Sequence, residues 1–208
     1  MLRRMEQSQP ESGAPQFPKI AERLFESRTV LIYGEITPRT AQLVVAQLLA
    51  LSADGKDDIT VFLHSEGGHV ESGDAIHDMI RFIAPRVRMV GTGWVASAGT
   101  HIYLAAPKED RFCLPNTRFM IHQPLGGVGG SASDIRIEAE EILKARERLN
   151  RSIAEATGQP LEKVAQDTDR NHWMTPEEAR DYGIVGRIVH SVGEIQERAP
   201  GGNPPAAE

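Results

Sequence analysis

The stretch ITVFLHSEGG, residues 59–68, sets β-branched and bulky apolar side chains over Ile59–Leu63 and ends on the pair Gly67-Gly68. The first half reads as a strand, and the glycines read as the turn that carries the chain out of it. Beyond the turn, Ile76, Ile80 and Ile83 recur at helical spacing. The same order stands on either side. Upstream, Thr29–Tyr33 is a strand candidate, Thr37-Pro38 reads as an N-cap with proline at the first helical position, and Leu43, Val44, Leu48 and Leu51 follow as an apolar stripe. Downstream, Val87–Gly91 is a strand, Ala96-Ser97-Ala98-Gly99 is a small-residue turn, and a short apolar helix runs through Ile102, Tyr103 and Leu104. Strand, small-residue turn and helix repeat without a fixed sequence period, so the expected architecture is α/β, a spiral of ββα turns rather than a solenoid.

After this repeat the pattern changes. Arg118–His122 reads as a strand that runs into a segment, 123–130, too rich in glycine to hold a regular element. Ser133 is the expected cap of a long helix over Asp134–Thr157, ended by Gly158, with Ile135, Ala139, Ile142, Ala145, Leu149 and Ile153 on one stripe. A helix of that length on a compact body suggests an arm for another subunit. Thr175-Pro176-Glu177-Glu178 is a capping box, and Gly183 precedes a last strand, Ile184–Val189. Residues 1–16 carry positive charge but no apolar signal core, and 193–208 are rich in Pro, Gly and Ala. Both are expected to be disordered, leaving one folded domain over 17–192.

Composition narrows the function classes. The chain has 208 residues, 40% hydrophobic and 25% charged. Its longest apolar run, Leu43–Leu51, is broken at Gln47, well short of the roughly 20 residues of a bilayer span. A net charge of −6 argues against binding a phosphate backbone. Cys113 is the single cysteine, which excludes an intrachain disulfide and suits a reducing cytoplasm. It reads as a small buried hydrophobe, and Trp94 and Trp173 as core or interface aromatics.

Chemistry must come from polar residues on turns. Ser97 lies where a strand meets a helix, a site with free N–H groups and an exposed hydroxyl. Val95 stands where a G-x-S-x-G elbow needs glycine, so by itself Ser97 reads as a helix cap. His122, alone, reads as a structural histidine. Gly67-Gly68 is either a plain turn or a place where backbone N–H groups approach an oxyanion. His64, His69 and His77 with Glu66 and Asp74 lack any H-E-x-x-H or cysteine pairing, so no metal is expected. No G-x-x-x-x-G-K-[ST] loop is present either, and no cofactor is expected.

The run FCLPNTRFMIHQPLGG, residues 112–127, resembles the histidine segment of the Clp protease proteolytic subunits, the ClpP family. Ala96-Ser97-Ala98-Gly99 resembles the serine segment, Ser65-Glu66-Gly67-Gly68 the oxyanion turn, and Thr157-Gly158-Gln159 and Tyr182-Gly183 later landmarks. The similarity spans about residues 17–191. It implies a crotonase-like ββα spiral with a protruding handle helix, assembled as two stacked heptameric rings around a chamber. The implied activity is a serine endopeptidase cutting unfolded proteins that a hexameric Clp ATPase delivers. Ser97 would be the nucleophile, His122 the general base and acid, and the Gly68 and Ala98 N–H groups the oxyanion donors. Gly126 and Gly127 would pair with extended substrate. Asp169 and Arg170 would lie at the contact between rings, and Phe62 and Phe82 would line the groove for the ATPase.

The sequence departs from the family in four places. Asn171 stands at the position of the triad aspartate, so it is expected to orient His122 through its amide oxygen without offsetting an imidazolium charge. Asp169 is the alternative orienter. Glu66 replaces a usual proline beside the oxyanion turn, and Ala98 a usual methionine. The N-terminal region lacks the usual pore-loop sequence. Two other readings remain: a weakly active or inactive scaffold paralogue in mixed rings, and a crotonase-like acyl-CoA enzyme.

Overall fold

Repetition of the strand–turn–helix unit builds the sheet one parallel strand at a time. In the computed structural model, residues 18–127 and 129–196 are described. The arm expected over 1–16 lies outside them. A first helix, α1 (Pro18–Glu26), leads into β1 (Thr29–Tyr33). Thr37 caps α2 (Pro38–Asp54) by accepting from the Thr40 N–H, with Pro38 at the first turn as its fixed φ favours. Then follow β2 (Ile59–Ser65), α3 (Val70–Phe82), β3 (Val87–Ala96) and α4 (Ala98–Tyr103). β1, β2 and β3 are parallel neighbours, as right-handed βαβ crossovers require.

β3 is the axis of the spiral. Its first half, at Met89–Gly91, pairs in parallel with β4 (Arg111–Cys113), whereas its last residues, Trp94–Ala96, pair with β5 (Arg118–Ile121). One ten-residue strand thus belongs to two turns, and Gly93, at φ +57, marks the change. The strand expected to stop at Gly91 therefore runs five residues further, to the serine. β6 (His172–Met174) joins β5 in antiparallel register, and β7 (Arg187–Ile188) closes the other edge on β4. The last strand is shorter than Ile184–Val189, because Ile184 and Val185 serve as buried turn residues. Val30 and Ile32 of β1 and Ile59, Val61 and Leu63 of β2 share one face of the sheet, and their burial with Leu48, Ile76 and Val95 forms the main core.

Between β5 and β6 lie α5 (Ala132–Thr157) and α6 (Leu161–Asp167), with α7 (Pro176–Tyr182) behind them. Ser131, not Ser133, caps α5: it accepts from the Asp134 N–H while the Asp134 carboxylate accepts from the Ser131 N–H. A serine two positions earlier wins because only there does an acidic residue fall at the third helical position. Gly158, in the left-handed region at φ +76, ends the helix as expected. Of the tail expected over 193–208, only 193–196 fall among the described residues, and they are ordered. Residues Gly193–Gln196 form α8, and Ile195 is buried with Val90, Phe112 and Val189. Among the described residues no helix is long and apolar enough to cross a membrane.

Candidate active site

Ser97 occupies the junction of β3 and α4 with φ 55 and ψ −123, a left-handed conformation unusual for a residue with a Cβ. Its side chain makes no capping hydrogen bond, so the local reading as a helix cap is overturned. The strain is held by neighbours. The Ser97 N–H donates to the Met120 carbonyl at 2.9 Å, and Thr100 Oγ1 donates to the same oxygen at 2.9 Å. Met120 belongs to β5, which ends at the residue before His122. The serine turn and the histidine are therefore fixed to one peptide group.

Three strands bring the polar residues together. Ser97 follows β3, His122 follows β5, and Asn171 precedes β6, all at one end of adjacent strands. His122 Nε2 lies 2.7 Å from Ser97 Oγ, and His122 Nδ1 lies 3.0 Å from Asn171 Oδ1. An amide oxygen only accepts, so Nδ1 carries the proton and Nε2 is left to accept from the serine hydroxyl. Asp169 does not orient the histidine. Its carboxylate meets Arg146 at 3.3 Å, and its carbonyl accepts from Gln123 Nε2 at 2.7 Å. Gln123 N–H also donates to the Thr168 carbonyl at 2.6 Å, so the histidine loop is tied twice to the segment that carries Asn171. Arg170, beside it, is exposed.

Glycine is obligatory in the turn opposite. Gly67 has φ +101, and a Cβ there would lie 2.5 Å from Ser97 Cβ. Gly68 has φ +146, and a Cβ there would lie 2.3 Å from the Ile36 carbonyl oxygen. The chain makes a parallel bridge with Ile36: the Ile36 N–H donates to the Gly67 carbonyl, and the His69 N–H to the Ile36 carbonyl, each at 2.8 Å. Such a bridge uses the groups flanking Gly68 and turns the Gly68 N–H to the other side. Ser65, quoted with the oxyanion turn but given no role of its own, holds the turn by accepting from the Gly67 N–H at 3.0 Å and donating to the Gly34 carbonyl at 2.6 Å. A small buried hydroxyl at a strand end gives no stronger signal in the sequence. Glu66 is exposed.

A cavity of about 30 Å³ adjoins the pair, lined by Ser97 and His122 with Val70, Ala98, Ile121 and Leu149. Gly126 packs on Ile142 of α5, so closely that a Cβ would lie 2.8 Å from Ile142 Cδ1, while Gly127 faces open space. Phe82 is 79% exposed, whereas Phe62 is partly buried against Val90 and Phe112. Cys113 is buried in β4, and burial pushes its thiol up to about 12. Trp94 and Trp173 meet edge to face at 5.6 Å, with the Arg118 guanidinium over Trp173. The histidines near Glu66 scatter: His64 Nδ1 accepts from the Trp94 N–H, and His69 caps α3.

The chain is similar to known proteins over most of its length. The family model described as Clp protease matches residues 12–192. The ATP-dependent Clp protease proteolytic subunit 3 of Rhizobium meliloti is 57% identical over 190 residues, 91% of this chain and 97% of that subunit. Its counterpart in Rhizobium etli is 62% identical over 172 residues, 83% of this chain and 89% of that protein. Among solved structures, ClpP1 from Listeria monocytogenes superposes with a TM-score of 0.78, and an asparagine-to-aspartate mutant of it with 0.80. Both are 56% identical and cover 85% of this chain and 99% of theirs.

Proposed function

This chain belongs to the Clp protease family and is a serine endopeptidase, and on that premise we propose that Ser97, His122 and Asn171 form its catalytic triad. The observation that carries the reading is the 2.7 Å contact of Ser97 Oγ with His122 Nε2. Ser97 Oγ attacks the peptide carbonyl as its proton passes to His122 Nε2, and the histidine returns that proton to the leaving amine. Water then repeats the sequence on the acyl-enzyme. The Ala98 N–H, unpaired at the first turn of α4, and the Gly68 N–H stabilise the tetrahedral oxyanion. Gly126 and Gly127 offer backbone to an extended substrate.

Asn171 makes the triad asymmetric in its chemistry. Its amide oxygen selects the productive tautomer, so orientation is kept. What it cannot supply is negative charge against the imidazolium that forms on attack. In an unrelated serine protease an Asp-to-Asn change at this role costs about 10⁴ in turnover, partly through the wrong tautomer. The orientation seen for Asn171 removes that part of the loss, which favours a low activity over none, and a second reading in which mixed rings with a more active paralogue raise the yield.

The larger assembly follows from family membership. We infer stacked heptameric rings, substrate unfolded by a hexameric Clp ATPase, Asp169 and Arg170 at the ring contact, and Phe62 and Phe82 in the groove for the ATPase. The peptidase domain begins near residue 17 and runs through α8. A lone, buried Cys113 suits work in a reducing cytoplasm.

A fluorophosphonate probe tests the triad. Labelling of Ser97 is expected in the wild-type assembly and is lost in Ser97→Ala and His122→Ala. Asn171→Asp is expected to raise peptide turnover by about 10- to 10³-fold, since only the charge is restored. An Asn171→Asp variant with unchanged turnover would remove Asn171 from the triad.

A further inference from the structure

We propose that His101 is a positioning residue for Ser97: held by Asp74 of α3, which Arg148 of α5 also grips, it fixes the short helix that starts at the nucleophile. The inference rests on the reading of Ser97 as nucleophile.

α4 has six residues, too few to be stable without support, and all six are buried. Its position sets where the Ala98 N–H points. On one side it is anchored through Ser97 N–H and Thr100 Oγ1 to Met120. On the other side the polar anchor is His101. The His101 N–H donates to the Ser97 carbonyl at 3.2 Å and closes the first turn, while the residue also lines the cavity beside Ser97 and its ring meets Asp74 of α3. Nε2 lies 3.0 Å from Asp74 Oδ1, and the same oxygen lies 2.7 Å from Arg148 NH1. His101 is 7% exposed, and His77 of α3 stacks on it with ring centroids 4.3 Å apart and planes 8° from parallel.

Neighbouring residues of α3 do two jobs at once. Gly73 lets the helices close in: a Cβ there would lie 3.3 Å from Ala98 Cβ. Asp74 then holds α4 at that distance through His101. Burial raises the carboxyl pKa of Asp74, but hydrogen bonds from His101 and Arg148 outweigh it and hold it at about 2. The acceptor is therefore ionised at any working pH. An aspartate and a histidine in a buried helix contact are costly, and an apolar pair would pack as well or better. What the polar pair adds is direction: a hydrogen bond fixes the rotation of α4, which apolar contact leaves free. Asp74, His101 and Arg148 are separated by 27 and 47 residues in the chain and come from three helices, so the restraint exists only in the folded state.

The test uses the full-length assembly. Three quantities are measured: the second-order rate of fluorophosphonate labelling at Ser97, the melting temperature, and amide exchange over 98–103. His101→Phe keeps a flat ring and loses the donor. It is expected to label about 10- to 100-fold more slowly, the scale of a small misplacement of reacting groups, with faster exchange at 98–103. His101→Gln keeps an N–H donor and is expected to recover most of the rate. Rescue by glutamine separates positioning from packing. The proposal is overturned if His101→Phe labels and exchanges like wild type, or if His101→Gln is as slow as His101→Phe while melting normally. Should His101→Phe not fold, Arg148→Met is the second variant, expected to slow labelling several-fold, and an unchanged rate there overturns the proposal. If wild-type Ser97 takes up no probe, the catalytic reading fails instead, and exchange at 98–103 decides the positioning role alone.

Discussion

The β3–α4 junction and the outer half of α5 obey opposite rules. Around Ser97 every position is constrained: the backbone is left-handed, two glycines sit within contact distance of Ser97 and Ile36, and the Ser97, Thr100 and His122 side chains are hydrogen-bonded inside the subunit. Along α5, each residue from 131 to 141 is exposed, and Ile135, Ile137 and Leu143 show 44, 50 and 60% of their surface. The only side chains of α5 that are buried are Asn150 and Ile153, near its inner end. One region is finished within the monomer. The other spends apolar surface on water, which is consistent with an arm that meets another subunit.

The largest effect belongs to the finished region. Gly67→Ala forces a Cβ against Ser97 at a φ that alanine resists. Labelling at Ser97 is expected to fall at least about 100-fold. Urea unfolding is expected to show a loss of about 1–3 kcal/mol. A variant that labels normally would mean that the turn relaxes away from Ser97 at little cost. The counterpart on the arm is Ile137→Asp. Subunit stability is expected to change by under about 0.5 kcal/mol, as for any exposed site, while sedimentation velocity shows smaller assemblies. Loss of subunit stability with intact rings would reverse the contrast between the two regions.

The boundary between them runs through α5, and pH locates it. Arg148 and Asn150 already belong to the body, the first through Asp74 and the second by accepting from Thr168 Oγ1 at 2.8 Å. The Asp74 carboxyl is depressed to about 2 from an ordinary 3.8. Its folded value lies below its unfolded one, so its stabilisation is complete above about pH 4 and is lost as pH falls towards 2. Wild type is therefore expected to exceed Asp74→Asn in unfolding free energy by about 1–2 kcal/mol at pH 6, and the gap narrows by pH 2.5. A gap that does not depend on pH would detach Asp74 from Arg148.

The sequence makes the same distinction only in part. Strands β1 and β2, the Thr37 and Thr175 caps and the glycine turns were legible, because each depends on residues within four positions. So was the length of α5. The continuation of β3 past Gly91 was not, since Thr92 and Gly93 break the apolar run, and pairing with β5 and, at Val95, with Ser65 of β2 is what keeps the chain extended. The short strand β6 was missed for the same reason, whereas the apolar strand around Cys113, β4, was legible. Ser97 read locally as a cap, because nothing in Ala-Ser-Ala-Gly announces a positive φ, and it took the resemblance of residues 112–127 to decide for an acyl-transfer site shared with His122 and the glycine turn. The Asp74–His101–Arg148 contact was not legible. Its partners lie too far apart in the chain for spacing to connect them.

The smallest effect tests the contrast most directly, because the same motif occurs once in each region. Thr175 caps α7 and Ser131 caps α5, each in a reciprocal box with an acidic residue three positions on. Thr175 precedes a helix whose Pro176, Ala179 and Tyr182 are buried, so fraying its first turn disturbs the core. Thr175→Ala is expected to lower global unfolding free energy by about 1 kcal/mol. Ser131→Ala removes a hydrogen bond of the same kind, but the turn it caps buries nothing in the monomer. Fraying there opens locally without exposing core, so global stability is expected to hold within about 0.5 kcal/mol while amide exchange at 132–135 quickens. Equal losses in the two variants would mean that the outer half of α5 contributes to the subunit's own cooperative unit, and the arm would then need no second copy to account for its order.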